Sequence, residues 1–360
     1  MLCSTRCVRF LTASQSPGGS STGSAVSLSA SFALIGIGTE NDGSIVQPSS
    51  RQSLYSLKPT QEVITAESCW RVSKSLDTPG AMARSTRDVA AATEVLLDPA
   101  ASAKLPGGGY TSFLAGSFER LKIGFVDPTL WRFPPDLWVP SDEAKEQHDA
   151  YHNARALVES LGAKVVYPAT LPEPSKLEND GDYTPFVVNS FEIADTVKEF
   201  FSDYVDPEST IRDLCHIVNF NKQHSESCLP KDAPDQSWLV RAVEEKPSQE
   251  RYEAAFQHMR RVGRDEGLKK TLRDNDLDIV ITPMDSPVCS LSMASGYPIA
   301  NVPLGRYHLK GEPSHPFGLA SLARSEGEGT LFQFMSAYEA NFPARVIPER
   351  LLRSIPEQSA

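Results

Sequence analysis

The sequence predicts an α/β protein in which helices cover both faces of a mixed central β-sheet. Two observations carry this prediction. Short apolar runs, which indicate buried strands, alternate along the chain with amphipathic helical segments. The composition, 40% apolar and 22% charged over 360 residues, is that of a globular protein with enough chain to bury a large core. We expect one large domain.

The first predicted elements lie in a stretch rich in serine, glycine and small apolar residues. A turn at 17–19 precedes a helix predicted over 21–34, one face of which carries Ala25, Leu28 and Phe32. A short apolar run over 33–38 predicts a buried strand. Turn residues over 40–43 follow it, and a second short helix is expected after Ser44.

The clearest helix is predicted over 85–97, because Ser85 can cap its N-terminus and Asp88 lies in its first turn. Its apolar face carries Val89, Ala92, Val95 and Leu96. The middle of the chain, 170–275, is more polar and mostly helical. The remaining predicted elements are strands over 121–126, 164–167, 278–282 and 299–303 and helices over 142–161, 247–275 and 330–340.

Net charge and cysteine usage narrow the function classes. The formal net charge is −11, whereas nucleic-acid binding needs a basic surface, so we expect no nucleic-acid partner. The six cysteines form no Cys-x-x-Cys pair and no zinc-like cluster with histidine, which indicates a reduced intracellular compartment. No apolar run approaches the roughly 20 residues of a membrane span or forms a signal peptide. We expect a cytoplasmic protein without a metal or other cofactor.

Ser44 and Ser20 form a candidate catalytic constellation. Ser44 follows the turn residues Asn41, Asp42 and Gly43 and precedes a predicted helix. Successive backbone N–H groups in such a turn, with the positive end of a helix dipole, can stabilise the oxyanion of an acyl transfer. Ser20 lies 24 residues earlier, beside a Gly-Gly turn where backbones can approach closely. A serine hydroxyl also needs a base within hydrogen-bond reach.

Local chemistry alone leaves other interpretations open. Serines in Gly-Ser-rich loops commonly cap helices or form turns. The stretch around Ser20 lacks the Gly-Lys-Ser/Thr ending of a Walker loop, and that around Ser44 lacks the Gly-x-Ser-x-Gly nucleophile elbow. His148 and His152 could hold a metal, but no third ligand is placed and a solvated helix face is favoured. Trp131 and Trp138 could line an acyl pocket, although ordinary loop packing is favoured.

Three ordered motifs resemble those of the amidase-signature family. They are Gly18-Gly19-Ser20-Ser21-Thr22-Gly23-Ser24, then Gly38-Thr39-Glu40-Asn41-Asp42-Gly43-Ser44-Ile45-Val46, then Ser56-Leu57-Lys58-Pro59-Thr60. Weaker matches follow over 77–84, 121–124, 278–283, 296–305 and 328–338. The chain therefore resembles fungal amidase-like members of the family over most of its length. It also resembles the related glutamyl-tRNA amidotransferase subunit that shares the serine motif.

The resemblance implies a Ser–Ser–Lys triad acting on a small-molecule amide, without a cofactor. Ser44 would be the acyl-accepting nucleophile. Ser20 would be the bridging serine after a cis Gly19–Ser20 bond, which costs about 3 kcal/mol. The supporting motif residues would be Gly18, Gly19 and Ser21, and the backbone oxyanion hole would be formed by Asn41, Asp42, Gly43 and Ser44.

Departures from the family pattern accompany this resemblance. The family's base is a lysine several dozen residues before the first serine motif, but no lysine precedes Ser20 here and the first in the chain is Lys58. The chain thus resembles an N-terminally truncated member that lacks the triad lysine and part of the sheet. Asp42 replaces a glycine of the family pattern, and we expect its carboxylate to point away from the oxyanion hole and cap the following helix.

The resemblance divides the chain into an N-terminal segment at 1–16, an amidase-like domain at 17–345 and a tail at 346–360. Within the domain, 17–128 is the signature core, 129–277 a divergent helical substrate region, and 278–345 the closing strands and helix. Two functions stay open. One is amide hydrolysis through Ser44; the other is a catalytically inactive amidase-like protein, such as a pseudoenzyme, a binding subunit or the product of an incomplete gene model. A homodimer also stays open.

Overall fold

A mixed sheet of eight strands organises the chain, in a computed structural model that describes residues 18–131, 141–231, 234–307, 315–348 and 351. In chain order its strands are β1 (Ile35–Glu40), β2 (Tyr55–Lys58), β3 (Thr78–Ala83), β4 (Lys122–Val126), β5 (Lys164–Ala169), β8 (Ile279–Pro283), β9 (Ile299–Tyr307) and β10 (His315–Ala323). A separate hairpin of β6 (Glu178–Asn179) and β7 (Asp182–Tyr183) follows β5 along the chain. The order in the sheet is β1-β3-β2-β9-β10-β8-β4-β5. Strand β4 runs parallel to β5 and β8, and the other neighbours are antiparallel.

Helices occupy the connections between these strands. They are α1 (Thr22–Ser29), α2 (Val46–Arg51), α3 (Thr86–Leu96), α4 (Pro99–Ser102), α5 (Ser141–Ser160), α6 (Thr184–Tyr204), α7 (Leu214–Gln223), α8 (Ser225–Cys228), α9 (Ser237–Glu244), α10 (Gln249–Arg260), α11 (Lys269–Asp274), α12 (Val288–Ser295) and α13 (Glu328–Asn341). A π-helical segment, Arg261–Leu268, joins α10 to α11. No helix in the described ranges combines the length and the apolar character needed to cross a bilayer.

The sheet separates two apolar clusters because alternate side chains of a strand point to opposite faces. In β8, Ile279 and Ile281 join one cluster and Val280 joins the other. Helices α3, α5 and α13 cover the first face, whereas α1, α2, α11 and α12 cover the second. The predicted fold class, a mixed sheet flanked by helices on both faces, is therefore confirmed.

Several predicted elements match the observed ones closely. Helix α3 begins where predicted, because the Ser85 side chain accepts a hydrogen bond from the backbone N–H of Asp88. The single helix predicted over 247–275 is instead divided by a kink at Gly267, whose dihedral angles are non-helical. Trp131 packs in the core, and Trp138 lies outside the described residues.

Some predicted burial was wrong at the edge of the sheet. The first helix ends at Ser29, so Phe32 leaves the apolar face assigned to it and is 84% exposed. Strand β1 is not fully buried: Ile35 and Ile37 are each 44% exposed, because β1 is the edge strand of the described sheet. In α3, Val95 is 84% exposed while Val89 and Ala92 are buried. The sequence periodicity predicted these elements but not which of their faces would pack against the rest of the protein.

The polar middle of the chain forms a helical layer with its own small clusters. Val187 and Val188 of α6 pack with Ala255 and Met259 of α10 and with Met293 of α12. A second cluster joins α6, α7 and α9. This layer lies against α12 and places the N-terminal end of α6 near the connection between β1 and α2, as the contacts of Asn41 below show.

Candidate active site

The candidate site is built on the connection between β1 and α2. Glu40 ends β1 with its side chain buried, and its Oε2 accepts hydrogen bonds from the backbone N–H groups of Ile45 (2.7 Å) and Val46 (2.9 Å). These are donors that the start of α2 would otherwise leave without partners. The turn that contains Ser44 is therefore folded over a buried carboxylate. The expectation that Asp42 caps α2 was wrong, because Glu40 takes that role.

The backbone of Ser20 lies against the side chain of Ser44 across this turn. The backbone N–H of Ser20 donates to Ser44 Oγ at 3.3 Å, and the backbone N–H of Ser21 donates to the Ser44 carbonyl at 3.1 Å. A Cβ on Gly19 would lie 2.4 Å from Ser44 Cα, so only glycine fits at position 19. The Gly-Gly turn thus brings the two serines together by removing a side chain.

The prediction of a cis Gly19–Ser20 bond was wrong. Among the described residues, the cis bond is that between Tyr167 and Pro168. The absence of a Cβ at Gly19 already permits the close approach to Ser44 with a trans bond.

The turn also presents backbone donors. Gly43 has φ +82°, a conformation that favours glycine, and its N–H opposes the rise that burial causes in the pKa of Glu40. Within the described ranges, the backbone N–H groups of Asp42 and Ser44 have no hydrogen-bond acceptor. Two neighbouring donors without partners can stabilise a developing oxyanion.

Asn41 fixes the turn to distant parts of the chain. Its Nδ2 donates to Asp77 Oδ1 at 2.6 Å and to Asn189 Oδ1 at 2.9 Å, and Asn189 Nδ2 donates back to Asn41 Oδ1 at 3.2 Å. Asp77 precedes β3, and Asn189 lies in α6. Burial raises the pKa of Asp77, while its hydrogen bonds with Asn41 and the backbone oppose that rise. The backbone of Asn41 is therefore held in place by its side chain.

Asp42 lies two residues before Ser44 in the same turn. Its Oδ2 accepts a hydrogen bond from Ser290 Oγ of α12 at 2.8 Å, and the Ser290 hydroxyl also lies beside Tyr183. The Asp42 side chain is open to solvent, yet the surrounding protein raises its pKa to about 6 by desolvation. Tyr183, 38% exposed, has its pKa raised for the same reason. The hydrogen bond from Ser290 thus fixes the Asp42 carboxylate beside the Ser44 turn.

Lys58 lies buried behind the turn. Burial lowers its pKa to about 8, and the charge of Glu40 opposes that shift. Burial raises the pKa of Glu40 in turn, with Lys58 and the backbone donors opposing. In the described part of the chain, Lys58 Nζ has no hydrogen-bond partner, so no hydrogen bond joins it to Ser44 or Ser20. The structure brings no lysine to the two serines through a hydrogen bond.

Sequence reasoning missed Asn189, Tyr183 and Ser290. They lie about 140 to 250 residues from the serine turn, and no local pattern marks them. The histidines considered for a metal face one another instead: His148 Nε2 and His152 Nε2 are 3.1 Å apart on α5. The described residues contain no group of three or more metal-ligating side chains.

Comparison with known proteins bears on this geometry. The Amidase family model matches residues 9–303. The chain belongs to the amidase-signature family. A probable amidase of Arabidopsis thaliana is 26% identical over 335 residues, 91% of this chain and 60% of that protein. A glutamyl-tRNA(Gln) amidotransferase subunit of Rippkaea orientalis is 35% identical over 117 residues, 31% of this chain and 24% of that protein.

The structure of an amidase-signature enzyme supports the same assignment. The peptide amidase of Stenotrophomonas maltophilia superposes with a TM-score of 0.79 and 28% identity, covering 94% of this chain and 69% of that one. This amidase-signature chain thus spans about 60% of the length of the Arabidopsis relative.

Proposed function

We propose that this protein hydrolyses carboxylic amides of small molecules through an acyl-enzyme on Ser44, with Ser20 as the bridging serine. One observation carries the proposal: two serines 24 residues apart meet, and the Ser20 N–H donates to Ser44 Oγ. That hydrogen bond stabilises negative charge on the oxygen that must become the nucleophile. The amidase names of the relatives support amide chemistry.

The proposed reaction uses the donors of the turn. Ser44 Oγ attacks the amide carbonyl carbon, and the resulting oxyanion accepts hydrogen bonds from the N–H groups of Asp42 and Ser44. As the bond to the carbonyl carbon forms, the Ser44 hydroxyl proton passes through the Ser20 hydroxyl to the amide nitrogen, and the C–N bond breaks to release the amine. Water then hydrolyses the ester on Ser44, which releases the acid and restores the Ser44 hydroxyl.

A serine-directed fluorophosphonate probe tests the proposal. We expect the probe to label Ser44 in the folded protein, located by peptide mass spectrometry. Ser44→Ala should abolish labelling. Ser20→Ala should slow it by about tenfold or more, because the proton relay is lost. Ser27→Ala, on α1 outside the turn, is the matched control and should label at the wild-type rate. Folded protein that leaves Ser44 unlabelled would refute the proposal.

An inactive amidase-like protein is the second candidate function. The observation that favours it is that the buried Lys58, in the described part of the chain, has no hydrogen bond to the serines. Loss of a base from such a relay slows related triads by several orders of magnitude. Binding of an amide without labelling of Ser44 would favour this candidate over hydrolysis.

A further inference from the structure

We propose that Asp42 is a cation-binding group of the substrate cleft, so that this protein prefers amides that carry a positive charge. The inference rests on the proposed function, because it takes the Ser44 turn as the place where the amide binds. It adds a substrate class and a residue that selects it.

The position of Asp42 carries the first step. It lies in the same turn as Ser44, two residues earlier, and it is exposed. Ser290 Oγ holds Oδ2 at 2.8 Å, which fixes the carboxylate. Tyr183 is within hydrogen-bonding reach of the same Ser290 and is itself partly exposed. An oriented carboxylate beside an aromatic ring suits a cation.

The charge balance carries the second step. In the described part of the chain, no lysine, arginine or histidine lies within salt-bridge distance of Asp42. The nearby Glu40 adds negative charge, and the buried Lys58 offsets only part of it. A desolvated carboxylate without a counter-ion is unfavourable, and a cationic ligand would supply the missing partner.

The chemistry of the turn carries the third step. A carboxylate beside an oxyanion hole opposes the negative charge that develops on the substrate oxygen. A positive group of the substrate placed on Asp42 would cancel this effect, whereas a neutral amide would not. The same carboxylate thus disfavours neutral amides and favours charged ones.

Calorimetric binding of matched amides tests the inference. The pairs are N-acetyl-ornithinamide with N-acetyl-norleucinamide, and N-acetyl-diaminopropionamide with N-acetyl-aminobutyramide; within each pair an ammonium replaces a methyl group. At pH 8 at least one charged amide should bind about tenfold more tightly than its partner, the size of a charge-assisted hydrogen bond. This preference should vanish in Asp42→Asn and weaken in Ser290→Ala. Asp203→Asn, an exposed acid near the far end of α6, should retain it.

The wild-type protein provides a test that needs no variant. Because the pKa of Asp42 is about 6, the preference should fall toward one as the pH drops from 8 to 5. Equal binding of both pairs by the wild type, or a preference that survives in folded Asp42→Asn, would overturn the inference.

Fluorophosphonate labelling of the same samples separates the two proposals. An Asp42-dependent preference without labelling of Ser44 upholds the cation site and refutes hydrolysis, whereas labelling without preference does the reverse.

Discussion

At the scale of single residues, Lys58 is a lysine that has been removed from water. Its side chain is fully buried at the end of β2, and the charge of Glu40 is the largest influence that opposes the effect of burial on its pKa. Removing an ammonium from water disfavours the charged form, which is why the pKa falls from 10.5 to about 8. The motif containing Lys58 was evident in the sequence, but its burial was not, because a lysine in an apolar segment is usually exposed.

The lowered pKa of Lys58 predicts how stability depends on pH. Between pH 8 and 10.5 the unfolded lysine binds a proton that the folded one has released, so the free energy of unfolding should rise with pH in this window. The rise that Lys58 contributes should reach about 3 kcal/mol. Urea unfolding of the wild type and Lys58→Met at pH 7 and pH 10 measures it. Tyrosine titration cancels in the difference, and a difference that does not change with pH would contradict the prediction.

At the scale of elements, the connection from β1 to α2 was partly predictable. The strand, the turn and the helix follow from apolar runs and turn residues in the sequence. We predicted that Asp42 caps α2, whereas Glu40 accepts the hydrogen bonds at the start of this helix. Both acids are close enough in sequence to do so. In the structure Glu40 points beneath the turn, whereas the Asp42 carboxylate reaches Ser290 of α12.

Removing the buried acceptor should therefore loosen this connection. Glu40→Ala leaves the N–H groups of Ile45 and Val46 without their acceptor, which should cost about 1–3 kcal/mol in the free energy of unfolding. Labelling of Ser44 should also slow. Glu67→Ala removes an exposed carboxylate and is the matched control. Equal stability and labelling in the two variants would show that Glu40 does not hold the turn.

At the scale of the whole molecule, Asp285 joins segments that are far apart in sequence. It follows β8 and accepts hydrogen bonds from Arg51 of α2 (2.9 Å), Gln147 of α5 (3.1 Å) and Tyr307 of β9 (2.9 Å). The Asp285 side chain is only 3% exposed. Local periodicity was enough to predict the fold class. It gives no information about which polar side chains distant in sequence become partners, so networks of this kind could not be predicted.

Breaking this buried network should cost far more than breaking a surface ion pair. Asp285→Asn leaves the Arg51 guanidinium without its counter-charge, and we expect a loss of about 3 kcal/mol in the free energy of unfolding. Asp182→Asn breaks the exposed pair with Arg251 and should cost less than about 1 kcal/mol. Urea unfolding of both variants measures the contrast. Similar losses in the two would contradict the structural role given to Asp285.

The most direct measurement for the role of Ser44 is capture of the acyl-enzyme itself. The protein would be incubated with an activated ester, quenched in acid and digested, and the acylated peptide would be located by mass spectrometry. We predict an acyl group on Ser44 that is absent from Ser44→Ala. An adduct confined to other residues, or none on folded protein, would contradict the assignment of Ser44 as the acyl-accepting residue.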